Sequence, residues 1–215
     1  MNSDNLRVPY GLAVHDHEEE DAVLEVIKNH NTIMGEKVKK FENEIAVLFG
    51  KQFGTMVNSG SSANLLTFEV LDIPENAEII TPILTFATTL SPIIKKGLTP
   101  VFVDVEPETY IVNIDQVEQS ITSKTKALMI PSLLGNVPDL KRLRKIADDN
   151  NLIFVEDSAD TLGATFDGIP TGKFSDVSTC GSFLGSLKNF VDEKNEYNFS
   201  KFLFLNSVNF FNFCS

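Results

Sequence analysis

The sequence predicts an α/β fold in three layers, a mainly parallel sheet with helices on both faces, and three observations support it. Short apolar runs rich in β-branched residues recur along the chain, as in residues 78–81, 101–105, 127–131 and 152–155. They are apolar at consecutive positions rather than alternate ones, the mark of strands buried on both faces. Between them lie stretches with apolar residues at helical spacing, and that alternation implies parallel strands joined by crossover helices.

Taken in order, residues 17–30 begin acidic and place Ala22, Val23, Val26 and Ile27 on one helical face. Val38, Phe41, Ile45, Leu48 and Phe49 repeat that spacing, and Gly50 is the expected stop. Residues 53–57 read as a short strand. Asn58, Ser59, Gly60, Ser61 and Ser62 then open an apolar segment running to Leu71. The strands named above alternate with helices expected at 86–96, 115–121 and 139–150. In such a sheet, ligands bind beyond the carboxyl ends of the strands. The tail differs: seven of the 17 phenylalanines fall in residues 190–215 without helical or alternating periodicity. Residues 184–215 therefore read as an aberrant Phe/Asn-rich tail foreign to the fold, and residues 1–183 as the domain.

Composition limits the partners. With 42% hydrophobic and 22% charged residues, the chain is of the soluble globular kind. A formal charge of -12 argues against nucleic acid, whose phosphates require clustered Lys and Arg. It leaves room for a small anion held by backbone N–H groups. No apolar stretch approaches the roughly 18 residues of a membrane helix, and no secretory signal is visible, so no membrane partner and a cytoplasmic location are expected. Cys180 and Cys214 lack metal-ligand spacing, and no metal is expected.

Three features could carry chemistry. Gly60, Ser61 and Ser62 lie between a strand and a helix, where free N–H groups, hydroxyls and the helix dipole suit a phosphate monoester. A serine there is also an ordinary helix cap. Asp157 follows the apolar run 152–155, placed either to hold a pyridinium proton or to cap the next helix. Phe86 follows the strand ending at Thr81 and could stack on a flat ring or fill the core. Together a phosphate cradle, an aromatic face and a carboxylate match pyridoxal 5'-phosphate (PLP), and a lysine to hold its aldehyde would complete the set.

The run GEKVKKFENEIAVLFGKQFGTMVNSGSSANL (residues 35–65) resembles the opening of the fold-type I nucleotide-sugar aminotransferases, the DegT family. So do TPILTFATT (81–89), TPVFVDVEPETY (99–110) and VEDSADTLGATFDGIPTGKFSDVST (155–179), in the family's order. The resemblance covers roughly residues 7–183 and implies the incomplete large domain of a PLP-dependent transferase. It assigns Gly60, Ser61 and Ser62 to the phosphate turn, Phe86 to the ring face and Asp157 to the pyridine nitrogen. Asp160 stands where many members carry Gln or His near the ring oxygen, and Ser182 corresponds to a further phosphate-binding serine.

The catalytic group is where the pattern breaks. The family's lysine lies ten residues beyond the position of Asp176, which is Ser186 here; the nearest lysine, Lys188, stands two residues later. A subgroup resembling the sugar 3-dehydratases carries histidine instead, and VNSGSSANLL and VEDSAD lean towards it. Yet the three histidines, His15, His17 and His30, all lie near the start of the chain.

The resemblance implies transamination of a nucleotide-linked keto sugar in surface-polysaccharide synthesis, with glutamate as amino donor and a homodimeric assembly. Two alternatives stay open. One is dehydration at C3 of a 4-keto-6-deoxy sugar nucleotide; the other is a truncated, non-catalytic remnant that associates with an intact homologue.

Overall fold

The computed structural model describes residues 15–181 and, as backbone, 183–186. Two compact units divide the chain, Met1–Lys39 and Lys40–Ser215. In the first, helix α1 (His17–Lys28) starts with a reciprocal capping box between Asp16 and Glu19. Glu18, Glu19 and Glu20 at its positive end and Lys28 at its negative end complement the helix dipole. Helix α2 (Glu36–Leu48) begins in this unit and continues into the second.

The second unit is built on a seven-stranded sheet. Its strands are β1 (Phe53–Met56), β2 (Glu78–Pro82), β3 (Thr99–Val103), β4 (Thr125–Pro131), β5 (Ile153–Asp157), β8 (Val177–Cys180) and β9 (Phe183–Ser186). A separate short hairpin joins β6 (Thr165–Phe166) to β7 (Ile169–Pro170). The sheet order is β1-β9-β8-β5-β4-β2-β3. Strands β3, β2, β4, β5 and β8 pair in parallel, and β9 runs antiparallel to both β8 and β1. The mainly parallel α/β architecture expected from the sequence is thus present.

Helices α3 (Gly60–Val70), α4 (Ala87–Lys95), α5 (Ile114–Gln119) and α6 (Leu140–Asp149) are the crossovers. Strand alternation assigns them to opposite faces. Ile79, Met129, Val155 and Val177 face Ala63 and Phe68 of α3 and Ile93 of α4. One residue out of phase, Ile80, Leu128, Ile130 and Phe154 face Val117 of α5 and Leu140, Leu143 and Ala147 of α6. Burying each such side chain contributes about 1.5–3 kcal/mol, enough to lock the register, since a one-residue slip would exchange the two faces. On the α6 side, Ala46 and Phe49 pack on Cys180.

Boundaries differ from the sequence reading at two instructive places. β3 ends at Val103, two residues before the expected 105, because the Asp104 N–H turns aside to the Gln116 side chain at 2.8 Å. Pro100 is tolerated in β3 because that strand is at the sheet edge. β5 extends two residues past the expected 155, so Asp157 belongs to the strand and pairs with Thr179. Strands β8 and β9 were not anticipated: VSTC carries Ser and Thr, yet all four residues are buried, and residues 184–186, expected to start the foreign tail, belong to β9 and pair with both β8 and β1.

Candidate active site

Helix α3 begins at the phosphate-like turn. Ser59, extended and just before the helix, is its N-cap; its Oγ accepts from the Ser62 N–H at 3.2 Å, and its carbonyl accepts from Ala63. Capping of Ser62 and Ala63 leaves the N–H groups of Gly60 and Ser61 without intrahelical partners, at the positive end of the dipole. Ser61 is exposed and Ser62 half-buried. Gly60 is required by close approach: a Cβ there would lie 2.9 Å from the carbonyl oxygen of Gly181. The turn is therefore pressed against the end of β8.

One helical turn further, Asn64 is buried and connects three elements. Its Nδ2 donates to Asp157 Oδ2 at 2.9 Å, and its Oδ1 accepts from Thr179 Oγ1 at 2.6 Å. The bond to Asp157 fixes which way the amide points, because a carboxylate only accepts while the Thr179 hydroxyl can donate or accept. Asn64 Nδ2 also reaches the Thr88 carbonyl at 3.3 Å. Pro92, inside α4, explains why this carbonyl is open: proline has no N–H to return to the residue four positions back.

Helix α4 supplies the other partner. Thr89 Oγ1 donates to Asp157 Oδ2 at 2.8 Å, and the Ala159 N–H donates to Oδ1 at 3.2 Å. Asp157 is buried, so these donors replace water around its charge. Phe86 is the N-cap of α4, offers no side-chain cap, and is 70% exposed. A Phe exposed to that degree at a strand-end loop is not core, which removes the core alternative.

The convergence is the informative fact. Asn64, one turn into α3, and Thr89, near the start of α4, grip the same oxygen of Asp157 at the carboxyl end of β5. The start of α3, the start of α4 and the carboxylate are thereby held together. Burial, followed by the nearby Asp157 and Glu156 carboxylates, pushes the Cys180 thiol up to about 11.

Asp160 lies apart from this cluster. It is exposed, and its Oδ2 accepts from the Leu134 N–H at 2.9 Å, pinning the 3₁₀ turn Leu133–Gly135 that follows β4. Ser182 and Lys188 fall outside the residues whose side chains are described. Sequence reasoning missed Asn64, Thr89 and Thr179. Only Asn64 carried a signal, a polar residue one turn after the Gly-Ser-Ser run on an otherwise apolar segment.

The sequence model of the DegT/DnrJ/EryC1/StrS aminotransferase family matches residues 14–191. The chain belongs to this family. Among family relatives, the dTDP-4-dehydro-2,6-dideoxy-D-glucose 3-dehydratase of Saccharopolyspora spinosa is 37% identical over 175 residues, covering 78% of this chain and 38% of that protein. GDP-perosamine synthase of Escherichia coli O157:H7 is 38% identical over 152 residues, covering 71% of this chain and 42% of the relative. The E. coli GDP-4-keto-6-deoxy-D-mannose-3-dehydratase, solved with bound hydrated PLP, superposes with a TM-score of 0.79 at 30% identity, covering 84% of this chain and 51% of that one. The chain thus spans about half the length or less of these DegT-family proteins.

Proposed function

We propose that this chain is the cofactor-binding part of a PLP-dependent enzyme that transaminates a nucleotide-linked keto sugar. The observation that carries the reading is the shared grip of Asn64 and Thr89 on Asp157, which brings two helix N-termini to one buried carboxylate. The described residues fit the cofactor: an anion-ready turn, an exposed aromatic ring and a fixed carboxylate.

When bound, PLP supplies an aldehyde to engage an amine and a protonated ring to accept electrons. In this reading Gly60, Ser61 and Ser62 hold its phosphate through N–H and hydroxyl groups, with Ser182 as a further donor. Phe86 stacks on the ring. Asp157 keeps the proton on the ring nitrogen, and Asn64, Thr89 and Ala159 hold that carboxylate in place. Asp160 acts at a distance by bracing the 133–135 turn. Lys188 is the candidate amine, glutamate the candidate donor, and a homodimer the candidate assembly.

A second reading, dehydration at C3 of a 4-keto-6-deoxy sugar nucleotide, is favoured by the relatives of that name at 37% and 30% identity. Both readings share the cradle and differ at the amine. Titration with PLP, followed by ring absorbance, tests the cradle: saturable binding is expected, weakened at least tenfold in Asp157→Asn. Absence of saturable binding overturns the cofactor reading. Borohydride reduction of the loaded chain followed by peptide mass analysis separates the chemistries. Label on Lys188 supports transamination, and bound but unlabelled cofactor favours the dehydratase.

A further inference from the structure

On the opposite face of β5 from Asp157 lies a second buried polar cluster with no part in the cradle. Lys51 follows Gly50, whose positive φ of 64° ends α2, and the lysine is only 6% exposed. Its Nζ donates to the Ser175 carbonyl at 2.6 Å and contacts Ser175 Oγ at 3.1 Å. Ser175 Oγ lies 3.2 Å from Glu156 Oε2, which also accepts from Ser178 Oγ at 2.8 Å. Glu156 Oε1 accepts from Ser158 Oγ at 2.6 Å. Glu156 itself is 1% exposed.

Residues on both sides of Asp157, Glu156 and Ser158, are thus tied together and to β8, while Asp157 points the other way. Lys51 is on the Glu156 face, so it is not the amine missing from the cradle. Asn64 and Thr89 fix Asp157 from the front; the Glu156 cluster fixes its backbone from behind.

We propose that Lys51, Ser175 and Glu156 form a proton-sensitive positioning relay behind Asp157, in which the direction of one serine O–H sets how firmly the carboxyl end of β5 is held. With Lys51 protonated, the ammonium donates to Ser175 Oγ, and the serine's single proton is left to the acceptors on its far side, Glu156 Oε2 at 3.2 Å, Ser178 Oγ at 2.9 Å (itself a donor to Glu156) and the Gly172 carbonyl at 3.3 Å. With Lys51 neutral, its nitrogen gains a lone pair and can accept that same proton, withdrawing one donor from Glu156 and the Ser178 hydroxyl bonded to it. No bond to carbon changes; one proton leaves for solvent and one O–H rotates. The loosened carboxylate sits one residue from Asp157.

The balance lies in a useful range. Burial lowers Lys51 to about 7, opposed by Glu156 on β5 and then Asp176 before β8, while Arg144 on α6 and Lys173 in the Thr171–Phe174 turn add to the lowering. Arg144 is itself engaged with Asp176 at 2.9 Å and Asp148 at 2.8 Å.

The proposal rests on Asp157 as the cofactor's carboxylate, but its test does not require cofactor. The Asn64 side-chain amide and the Ala159 backbone N–H both donate to Asp157 and report its position by ¹⁵N-resolved NMR of the full chain. From about pH 5.5 to about pH 9, both signals are expected to move with one midpoint near 7, that of Lys51. Lys51→Met and Ser175→Ala should flatten both curves, with folding checked by circular dichroism. Either variant suffices if the other does not fold. Static signals in wild type, or equal movement in the variants, overturn the relay.

PLP titration then separates the two levels. The wild-type to Lys51→Met affinity ratio should change about fivefold or more across the same pH range. NMR coupling without PLP binding defeats the cofactor reading and leaves the relay standing. PLP binding without NMR coupling defeats the relay alone.

Discussion

Asn64→Leu removes one residue's worth of hydrogen bonding while keeping the side chain's branching and number of heavy atoms, and its cost can be worked from the contacts. The Asn64 amide donates to the Asp157 carboxylate at 2.9 Å and accepts from Thr179 Oγ1 at 2.6 Å. A bond to a charged group contributes about 1.5–3 kcal/mol and a neutral one about 0.5–1.5 kcal/mol. Thr179 is 1% exposed, so its hydroxyl would be left with only the long 3.4 Å contact to the Glu156 carbonyl. Asp157 would keep Thr89 and Ala159. The added apolar contact of leucine offsets part of the loss, its extra bulk at a buried site adds some strain, and a net destabilisation of about 1–4 kcal/mol follows. Urea unfolding monitored by circular dichroism should show the midpoint falling with the slope unchanged. PLP affinity should fall about tenfold or more, as expected for loss of a group that orients a cofactor ligand. Ser61→Ala, an exposed position on the same helix, is the control, expected within about 0.5 kcal/mol in stability. A loss below about 0.5 kcal/mol in Asn64→Leu would mean that the amide is not holding Asp157.

Other expectations follow from single contacts. Gly60→Ala should cost about 1–3 kcal/mol and weaken binding of inorganic phosphate as well as PLP, because its Cβ meets the Gly181 carbonyl oxygen at 2.9 Å; equal phosphate affinity would refute the close-approach account. Phe86→Ala should leave unfolding within about 0.5 kcal/mol, since the ring is 70% exposed, yet lower PLP affinity in fluorescence titration. Cys180, raised to about 11, should resist iodoacetamide at pH 8 in the native chain and react once unfolded, read from its peptide by mass spectrometry. Lys51 is lowered from 10.5 to about 7, so the unfolded chain binds more protons between those values and stability should rise with pH across that window. Cys180 opposes this from 9.0 upward, where the folded chain keeps its thiol proton. Between about 7 and 9.0, the Lys51→Met chain should therefore lack a rise that wild type shows.

Much of this molecule could be read from its sequence, for identifiable reasons. Consecutive apolar residues in 78–81 and 152–155 signal strands buried on both faces, and the helices between them dictate a parallel sheet. Gly60, Phe86 and Asp157 were visible because each lies at or just beyond the carboxyl end of an apolar run, where the sheet rule directs attention. Residues such as Asn64, Thr89, Thr179 and Lys51 were not, because their roles depend on partners distant in the chain: Asn64 and Asp157 are 93 residues apart, Lys51 and Ser175 are 124 apart. A lone buried lysine has no local signature, and a buried Ser-Thr strand such as β8 looks like a loop until its neighbours satisfy its hydroxyls. Local pattern sets which segments become strands and helices, since periodicity and turn chemistry act over a few residues. Only the tertiary structure decides which polar groups meet, because a buried hydrogen bond is selected by three-dimensional proximity and by the cost of leaving either partner unpaired.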